Sequence, residues 1–273
     1  MIIELKIPWK RILNDLKYVM LFIIAVSLLY GVTAEYHETY VVEPGTIIEV
    51  HNINGNIVIG ASDNNKVEVN VEKKTNKSAS ELEKVTFDIS VGEKLIIKTR
   101  YLEEKANVTV TYDIKVPTNV HVGSISTANG SIELEKTTGN LILHTANGDI
   151  IVEDHNGSVK AQTSNGDITT DDTDMIVEAI TSNGRIEAEL TAVPEEGIKI
   201  TSSNGSIILH ITKDADAEIN AATSNGRVSI DDLELIDAVI SKKSVVGILG
   251  KGGPEVHIST SNGTIYLEGL ESE

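Results

Sequence analysis

We expect an all-β protein: a single-stranded, right-handed parallel β-helix, or β-solenoid, with rungs of 18–21 residues, preceded by an N-terminal signal or anchor helix. A motif of Ser or Thr, then Ala or Ser, then Asn-Gly occurs seven times between residues 127 and 263. Its glycines are 18, 18, 18, 21, 21 and 37 residues apart, and a period near twenty is typical of stacked short units. The core must also be narrow, because Phe87 is the only Phe or Trp beyond residue 34.

The repeated residues are expected to build the turns and ladders of the stack. Each Thr or Ser lies two or four residues from an inward-facing residue of the same strand, so its side chain should also face the core. Its hydroxyl should then form a hydrogen bond with the backbone. Each Asn amide can donate to one neighbour and accept from the other, and each Gly can adopt positive φ at a corner. These residues are Thr127, Asn129, Gly130, Thr145, Asn147, Gly148, Thr163, Asn165, Gly166, Thr181, Asn183, Gly184, Ser202, Asn204, Gly205, Thr223, Asn225, Gly226, Thr260, Asn262 and Gly263.

A meander of β-hairpins is the alternative reading of Asn-Gly between alternating apolar runs, because type I′ turns favour this dipeptide. A meander does not require the same residues before every turn at a fixed spacing, whereas parallel stacking does. Half-way turns at Thr138-Gly139 and Asn156-Gly157 divide each 18-residue unit into two short strands. The spacing therefore favours the solenoid.

Longer spacings indicate insertions. The 21-residue units should have extra residues at 192–197 and 213–216, in the turn opposite Asn-Gly. The 37-residue gap equals about two short units, so we expect one coil there that has lost its Asn-Gly, with a strand at 245–248.

The preceding segment, 35–120, reads as irregular first coils and an N-terminal cap. Alternating apolar residues predict strands at 85–91, 95–99 and 108–116, joined by tight turns that indicate antiparallel pairing. A polar stretch at 73–84 predicts a loop or short helix. We therefore divide the chain into 1–34, 35–120 and a regular repeat region at 121–273.

The first 34 residues resemble a targeting segment. Basic residues precede an uncharged apolar run at 18–32, and Val32-Thr33-Ala34 provides the small residues that a signal peptidase accepts. The run is shorter than the roughly 20 residues of a spanning helix, which favours a cleaved signal over an uncleaved membrane anchor or a buried core helix. Everything after it is expected outside the cytoplasm, secreted or anchored at the cell surface.

The remaining chain is strongly acidic. Without residues 1–34 it has 19 Lys plus Arg against 39 Asp plus Glu, a formal charge of −20. Such a surface repels nucleic acid and suits cationic peptides or divalent cations. The chain has no cysteine, so no disulfide stabilises it.

Catalytic and metal-binding chemistry are weakly indicated. Asp167, Asp171, Asp172 and Asp174 are candidate calcium ligands, although they match no EF-hand or β-roll spacing and also fit a solvated acidic face. A polysaccharide-active β-helix enzyme would need a basic residue beside carboxylates, and Arg185 and Arg227 are the only arginines after Arg100. No nucleophile, base and orienting group can be assembled, so we expect no enzyme and no cofactor.

The repeats resemble the putative adhesin domain of prokaryotic surface proteins, a domain of unknown function. The resemblance rests on Thr-x-Asn-Gly-x-Ile, on the strand at 113–117 that ends in proline, and on the early turn at 53–57, and it covers about residues 36 to 270. It implies a solenoid exposed at the envelope, tied to adhesion or to sensing of envelope stress and antimicrobial peptides. It offers no catalytic residues.

Two functions follow as hypotheses. The first is a non-catalytic surface module that binds an unknown protein, peptide or envelope polymer through one solenoid face. The second is an envelope sensor that captures cationic peptides by charge. Contact with a membrane would occur through residues 18–32 if the signal is not cleaved.

Overall fold

Alternation of β-branched and polar residues produces strands along most of the chain. The structure is a computed structural model that describes residues 24–28 and 31–271. Within them one continuous sheet links 22 strands, and a single 3₁₀ turn is the only helical element. The predicted all-β class is confirmed.

The N-terminal part contains eight strands and the 3₁₀ turn, Ala79–Lys84, between the fifth and sixth strands. The turn falls in the polar stretch that we expected to be a loop or short helix. The strands are β1 (Ile24–Leu28), β2 (Gly31–Tyr40), β3 (Ile47–His51), β4 (Ile57–Ser62), β5 (Val67–Thr75), β6 (Val85–Val91), β7 (Lys94–Tyr101) and β8 (Thr109–Pro117).

The middle of the chain forms the regular body, and the extra residues of the longer units lie in the loops after β14 and β16, as predicted. The strands are β9 (His121–Asn129), β10 (Ile132–Glu135), β11 (Leu141–Asn147), β12 (Ile150–Asn165), β13 (Ile168–Asn183), β14 (Ile186–Leu190), β15 (Ile198–Asn204) and β16 (Ile207–Thr212).

Six further strands complete the C-terminal part of the described chain. They are β17 (Ala217–Asn225), β18 (Val228–Asp231), β19 (Ile236–Ile240), β20 (Ser244–Leu249), β21 (Glu255–Asn262) and β22 (Ile265–Leu270).

Parallel pairing in register stacks the repeats. We call a rung the two consecutive strand segments at one level of the stack, which in most rungs lie on either side of an Asn-Gly corner. Ile132 pairs with Ile150, Ile150 with Ile168, and Ile168 with Ile186. All four side chains are fully buried, so each rung repeats the apolar contact of the rung before it. The core of the regular body is therefore a column of aliphatic rows.

The order of the rungs in space differs from their order in the chain at both ends. The β21–β22 rung lies between the β15–β16 rung and the β17–β18 rung, because β21 pairs with both β15 and β17, and β22 pairs with both β16 and β18. At the other end, the β3–β4 rung lies between the β7–β8 rung and the β9–β10 rung. At the C-terminal end the chain therefore builds the outer β17–β18 rung first and then places the β21–β22 rung inside it. At the N-terminal end it builds the outer β7–β8 rung and then places the β9–β10 rung on the other side of the β3–β4 rung.

The strand predicted at 245–248 is confirmed as part of β20, but the prediction that it belongs to a further stacked coil in the 37-residue gap was wrong. The segment after β18 is not a coil without its Asn-Gly corner. Strands β19 and β20 form an antiparallel hairpin, and β20 pairs antiparallel with β17. The chain then crosses back to β21, so the extra residues are used for the hairpin and the return.

Antiparallel strands close both ends of the parallel body. At the N-terminal end β6 pairs with β7, while β5 pairs with β8 and with β2. This confirms the antiparallel pairing predicted there, although β3 and β4 also join the parallel rungs. Such strands cover main-chain groups that would otherwise remain open to another chain.

The N-terminal targeting segment is only partly described. Residues 24–28 and 31–40 form strands β1 and β2, which pair antiparallel, rather than the expected helix. The rest of the expected signal or anchor lies outside the described residues. No helix in the described chain has the length and apolarity to cross a membrane.

A buried lysine sits among aromatic rings in the N-terminal cap. The Lys73 ammonium lies 4.9 Å from the ring centres of both Tyr36 and Phe87. It donates hydrogen bonds to the carbonyls of Leu82 and Val85. Burial lowers the pKa of Lys73 to about 8, because removal from water disfavours the charged form.

This pKa predicts that the protein becomes more stable as pH rises above 8. The unfolded chain holds the Lys73 proton up to its ordinary pKa near 10.4, so between the two values the unfolded state binds more protons. We expect the free energy of unfolding to increase by about 1 kcal/mol from pH 8 to pH 9 relative to Lys73→Met, which cannot titrate. Urea titrations of both proteins test this, and parallel pH profiles would contradict it.

Candidate functional site: a repeated corner and an acidic face

The Asn-Gly corners form a ladder of side-chain amides. The Nδ2 of each Asn donates to the Oδ1 of its neighbour at 2.7–3.0 Å. Partners in the regular body are 18 or 21 residues apart in the chain. The order of the ladder follows the rungs in space rather than the chain: Asn54, Asn129, Asn147, Asn165, Asn183, Asn204, Asn262 and Asn225.

The hydroxyl residues two places before these asparagines lie in the core and bond to backbone. Thr145 donates to the carbonyl of Gly130 at 2.9 Å, and Thr163 donates to that of Gly148 at 3.0 Å. The same contact recurs with Thr127, Thr181, Ser202, Thr260 and Thr223. All seven side chains are buried, so each satisfies a polar atom inside the column.

The corner glycines are required by close main-chain approach. A Cβ on Gly166 would lie 1.9 Å from the carbonyl oxygen of Gly148, and one on Gly184 would lie 1.9 Å from that of Gly166. We expected positive φ to explain these glycines, but φ is positive only at Gly130 and Gly148 and not at the five later motif glycines. The physical reason is therefore lack of room for a side chain between rungs.

A second ladder, not foreseen from the sequence, runs beside the first. After five of the corner glycines, the side-chain oxygen of the next residue accepts a hydrogen bond from the backbone N–H of the adjacent rung. Asp149 accepts from Asp167 at 2.8 Å, and Asp167 accepts from Arg185 at 2.7 Å. In the sequence, this second ladder could have been inferred from the polar residue that follows several Asn-Gly pairs, such as Asn56 and Ser131.

The calcium candidates do not converge. Asp167 lies at the Asn-Gly corner, where one carboxylate oxygen holds the next rung, whereas Asp171, Asp172 and Asp174 lie farther along β13. Within 24–28 and 31–271, no group of three His, Asp or Glu side chains is arranged to hold a metal ion.

Carboxylates instead form a row across one face of the stack. We call the acidic row the outward residues Glu135, Glu153, Asp171, Glu189, Glu268 and Asp231, with His210 among them. Register places Glu153 beside Glu135 and Asp171, and His210 between Glu189 and Glu268. Asp231 follows Glu268 on the outermost rung. Neighbouring strands lie about 4.8 Å apart, so carboxylates recur at nearly that interval.

The row concentrates negative potential. Partial burial, then the charges of Asp171 and Asp172, raises the pKa of Glu189. His210 lies among these carboxylates, with its Nδ1 3.2 Å from Glu268 and its Nε2 3.5 Å from Glu187, and its presence opposes the rise in the pKa of Glu189.

The strands before the corner present a different surface. Lys160, Glu178, Lys199 and His257 follow one another on adjacent strands, and Lys199 lies 3.5 Å from Glu178. Opposite charges alternate there, so this face lacks the uniform sign of the acidic row.

The arginines named for an enzyme occupy exposed turn positions. Arg185 lies 2.5 Å from Glu187 in an ion pair, and the backbone carbonyl of Arg227 accepts a hydrogen bond from the Ile265 N–H at 2.9 Å. The backbone groups of both arginines therefore form hydrogen bonds between adjacent rungs at the corners.

The glycine geometry gives a direct stability test. Gly166→Ala puts a methyl group against the Gly148 carbonyl, which belongs to the main chain and cannot move without disturbing the rung. We expect the variant to lose about 3 kcal/mol or more, or to fail to fold. Gly92→Ala is the control, because nothing lies within 4 Å of a Cβ there. Equal stability of the two variants in chemical denaturation would contradict the close approach.

Comparisons with known proteins identify a family for this chain. No protein among curated sequences matches the chain. Similar solved structures include a putative cell adhesion protein from Clostridium sporogenes, 12% identical, covering 86% of this chain and 100% of that chain with a TM-score of 0.34. Putative adhesins from Bacteroides fragilis and Parabacteroides distasonis are 16% and 14% identical, each covering 86% of this chain and 97% of the other with a TM-score of 0.34. The model of the Toastrack DUF4097 family matches residues 48–268, most of the chain, and the protein therefore belongs to that family.

Proposed function

We propose that this protein is a non-catalytic surface module that binds a cationic partner through the acidic row. The carrying observation is the register that aligns Glu135, Glu153 and Asp171 on successive rungs. A flat surface of one charge sign attracts the opposite sign over a long contact and repels nucleic acid.

The fold supports this role by fixing where the charges point. Most carboxylates of the row extend from strands whose inward neighbours are buried, such as Val152 beside Glu153 and Leu267 beside Glu268. The row is therefore held by the core and not by a loop. A partner meets charges already in position, which reduces the ordering cost of binding.

Cationic peptides are one partner class with specific support. An extended basic peptide lying along the row meets a carboxylate on nearly every rung, about 4.8 Å apart. His210 takes one position of the row, and Lys136 pairs with Glu135 at 2.6 Å. This corresponds to the sensing hypothesis, whereas a basic patch on a protein or envelope polymer corresponds to the adhesive one. Both use the same surface.

Location and chain organisation complete the proposal. Residues 1–34 are proposed as a signal or membrane anchor, with 35–120 as first coils and cap and 121–273 as the repeat region, because the basic flank, apolar run and small residues match such a segment. The module would then lie outside the cytoplasm. We further propose a right-handed coil with rungs of 18–21 residues, supported by the strong preference of parallel crossovers.

A charge-matched pair of variants tests the binding surface. Glu153→Gln, Asp171→Asn and Glu268→Gln together remove three charges from the row. Glu195→Gln, Glu196→Gln and Glu218→Gln remove three exposed charges elsewhere. With an oligolysine peptide as probe, we expect about tenfold weaker binding for the row variant than for the control, measured by fluorescence anisotropy at low salt.

Salt provides the second arm of this experiment. Binding to the native protein should weaken steeply as ionic strength rises, because exposed charges are screened over about 10 Å at 0.1 M. Equal losses in the two variants, or binding that persists in molar salt, would refute the proposal.

A further inference from the structure

The chain contains nine Asn-Gly dipeptides, the sequence context in which an asparagine loses its side-chain amide most readily. In that reaction the backbone nitrogen of the glycine attacks Cγ of the asparagine. Glycine permits the required turn of the chain because it has no Cβ. The asparagines concerned are Asn54, Asn129, Asn147, Asn156, Asn165, Asn183, Asn204, Asn225 and Asn262. Their reactivity in the folded protein depends on how firmly each peptide group is held.

Hydrogen bonds between rungs hold the peptide groups of the regular corners. Attack requires rotation about the Cα–C bond of the asparagine, which moves its carbonyl and the glycine N–H together. At one corner the Asn165 carbonyl accepts from the Gly148 N–H at 2.9 Å, and the Gly166 N–H donates to the Asn183 carbonyl at 3.0 Å. An equivalent pair of bonds holds the peptide groups after Asn54, Asn129, Asn147, Asn183 and Asn204. Reaction at these corners must first break both bonds.

Two other dipeptides are held through the asparagine carbonyl. The Asn262 carbonyl accepts from the Gly205 N–H at 3.0 Å, and the Asn156 carbonyl accepts from the Gly139 N–H at 3.0 Å. Rotation at either asparagine therefore also breaks a bond between rungs.

The peptide group between Asn225 and Gly226 is different. Within 24–28 and 31–271, neither the Asn225 carbonyl nor the Gly226 N–H forms a backbone hydrogen bond. The β17–β18 rung is the outermost parallel rung, so no further corner is present to accept from the Gly226 N–H. This peptide group can therefore rotate without breaking a bond of its own.

The Asn225 side chain is also held on one side only. Its Nδ2 donates to Oδ1 of Asn262 at 3.0 Å, and its own Oδ1 accepts no hydrogen bond from the described part of the chain. Asn183, by contrast, donates to Asn165 at 2.8 Å and accepts from Asn204 at 2.9 Å. Asn225 is exposed, so water reaches its amide.

A positive charge lies beside this corner. The Nζ of Lys243 donates to the carbonyl of Ser224, the residue before Asn225, at 2.6 Å. The backbone carbonyl of the same lysine accepts from the Thr223 N–H at 2.9 Å, which fixes the turn between β19 and β20 over the corner. Attack by the glycine nitrogen passes through a deprotonated amide and then an oxyanion on Cγ. A nearby ammonium group favours both negative charges.

We propose that Asn225 is a site of spontaneous deamidation in the folded protein. The Gly226 nitrogen forms a bond to Cγ of Asn225, the Cγ–Nδ2 bond breaks, and ammonia leaves with the proton of the Gly226 N–H. The resulting succinimide takes up water, and cleavage of one or the other C–N bond of the ring gives aspartate or isoaspartate. Water is the only co-reactant, and no oxidation or reduction occurs. This inference does not depend on the proposed cationic partner.

The modification changes the outermost rung. Aspartate lacks the Nδ2 that donates to Asn262 and places a carboxylate against the Oδ1 of that residue. Isoaspartate also lengthens the main chain at a corner where the rungs approach closely, since a Cβ on Gly226 would lie 1.9 Å from the Gly263 carbonyl oxygen. Both products should loosen β18, which carries Asp231 of the acidic row.

Peptide mapping of the full chain tests the site, after incubation in mildly alkaline water labelled with heavy oxygen. The new carboxyl group takes one oxygen from this water. Asn183 is the matched control, because Thr-Ser-Asn-Gly-Arg surrounds both Asn183 and Asn225. In the folded protein we expect Asn225 to react at least about tenfold faster than Asn183, as the loss of two or more hydrogen bonds implies. In urea the two should react at equal rates.

Three results would overturn the proposal. The first is an equal rate at Asn225 and Asn183 in the folded protein. The second is faster labelling of Asn156 or Asn262 than of Asn225. The third is a preference for Asn225 that persists in urea, because the cause would then lie outside the fold.

The variant Asn225→Asp imitates one product and tests its effect on the rung. We expect hydrogen exchange at the amides of β18 to become about tenfold faster, because the bond to Asn262 is lost. Asn76→Asp makes the same charge change at an exposed position and should leave exchange in β18 unchanged. Native exchange in the Asn225→Asp protein would contradict the predicted loosening.

Discussion

Close approach of main chains at the Asn-Gly corner is the constraint on which the structure depends. The carbonyl of one corner glycine occupies the space where a side chain of the next would lie. Only glycine fits, and only if the rungs are in register. Register then stacks the Asn amides, buries the Thr hydroxyls against the same carbonyls and aligns the aliphatic core. Each corner thus imposes the same alignment on both strands of its rung.

The same alignment produces the charged face. Outward residues at equal distances from the corner fall beside each other, so carboxylates far apart in the chain become a row. Burial, together with the nearby charges of Asp171 and Asp172, raises the pKa of Glu189. The residues proposed to bind a partner therefore lie at positions that differ from one repeat to the next. The repeated Thr, Asn and Gly residues form the contacts between rungs.

The sequence was most informative where a requirement is repeated. Thr145, Asn147 and Gly148 recur in the same relation in every regular unit, so strand parity and parallel stacking could be inferred before any contact was known. The role of glycine could not, because positive φ and lack of room both select glycine. The acidic row was also hidden: Glu135 and Asp231 become members of the same row only once the register is known.

The order of the rungs in space could not be predicted from the sequence, for a different reason. A 37-residue spacing is compatible with two stacked units or with a hairpin and a return, and the strand at Ser244–Leu249 has the same apolar pattern in either case. Long-range pairing decides between them. The result is a parallel body whose ends are covered by antiparallel strands, with one covering hairpin presenting an apolar surface.

Paired cysteines provide the most direct test of the stacked corners and their order. Ser203 and Ser261 lie one residue before Asn204 and Asn262, which pair across adjacent rungs, whereas Ser224 belongs to the rung beyond. Adjacent strands are within the Cα separation that a disulfide spans. Oxidation should give an intramolecular disulfide in the Ser203→Cys, Ser261→Cys protein and none in the Ser203→Cys, Ser224→Cys protein. A disulfide in the second protein and none in the first would show that the rungs follow chain order and would contradict this account.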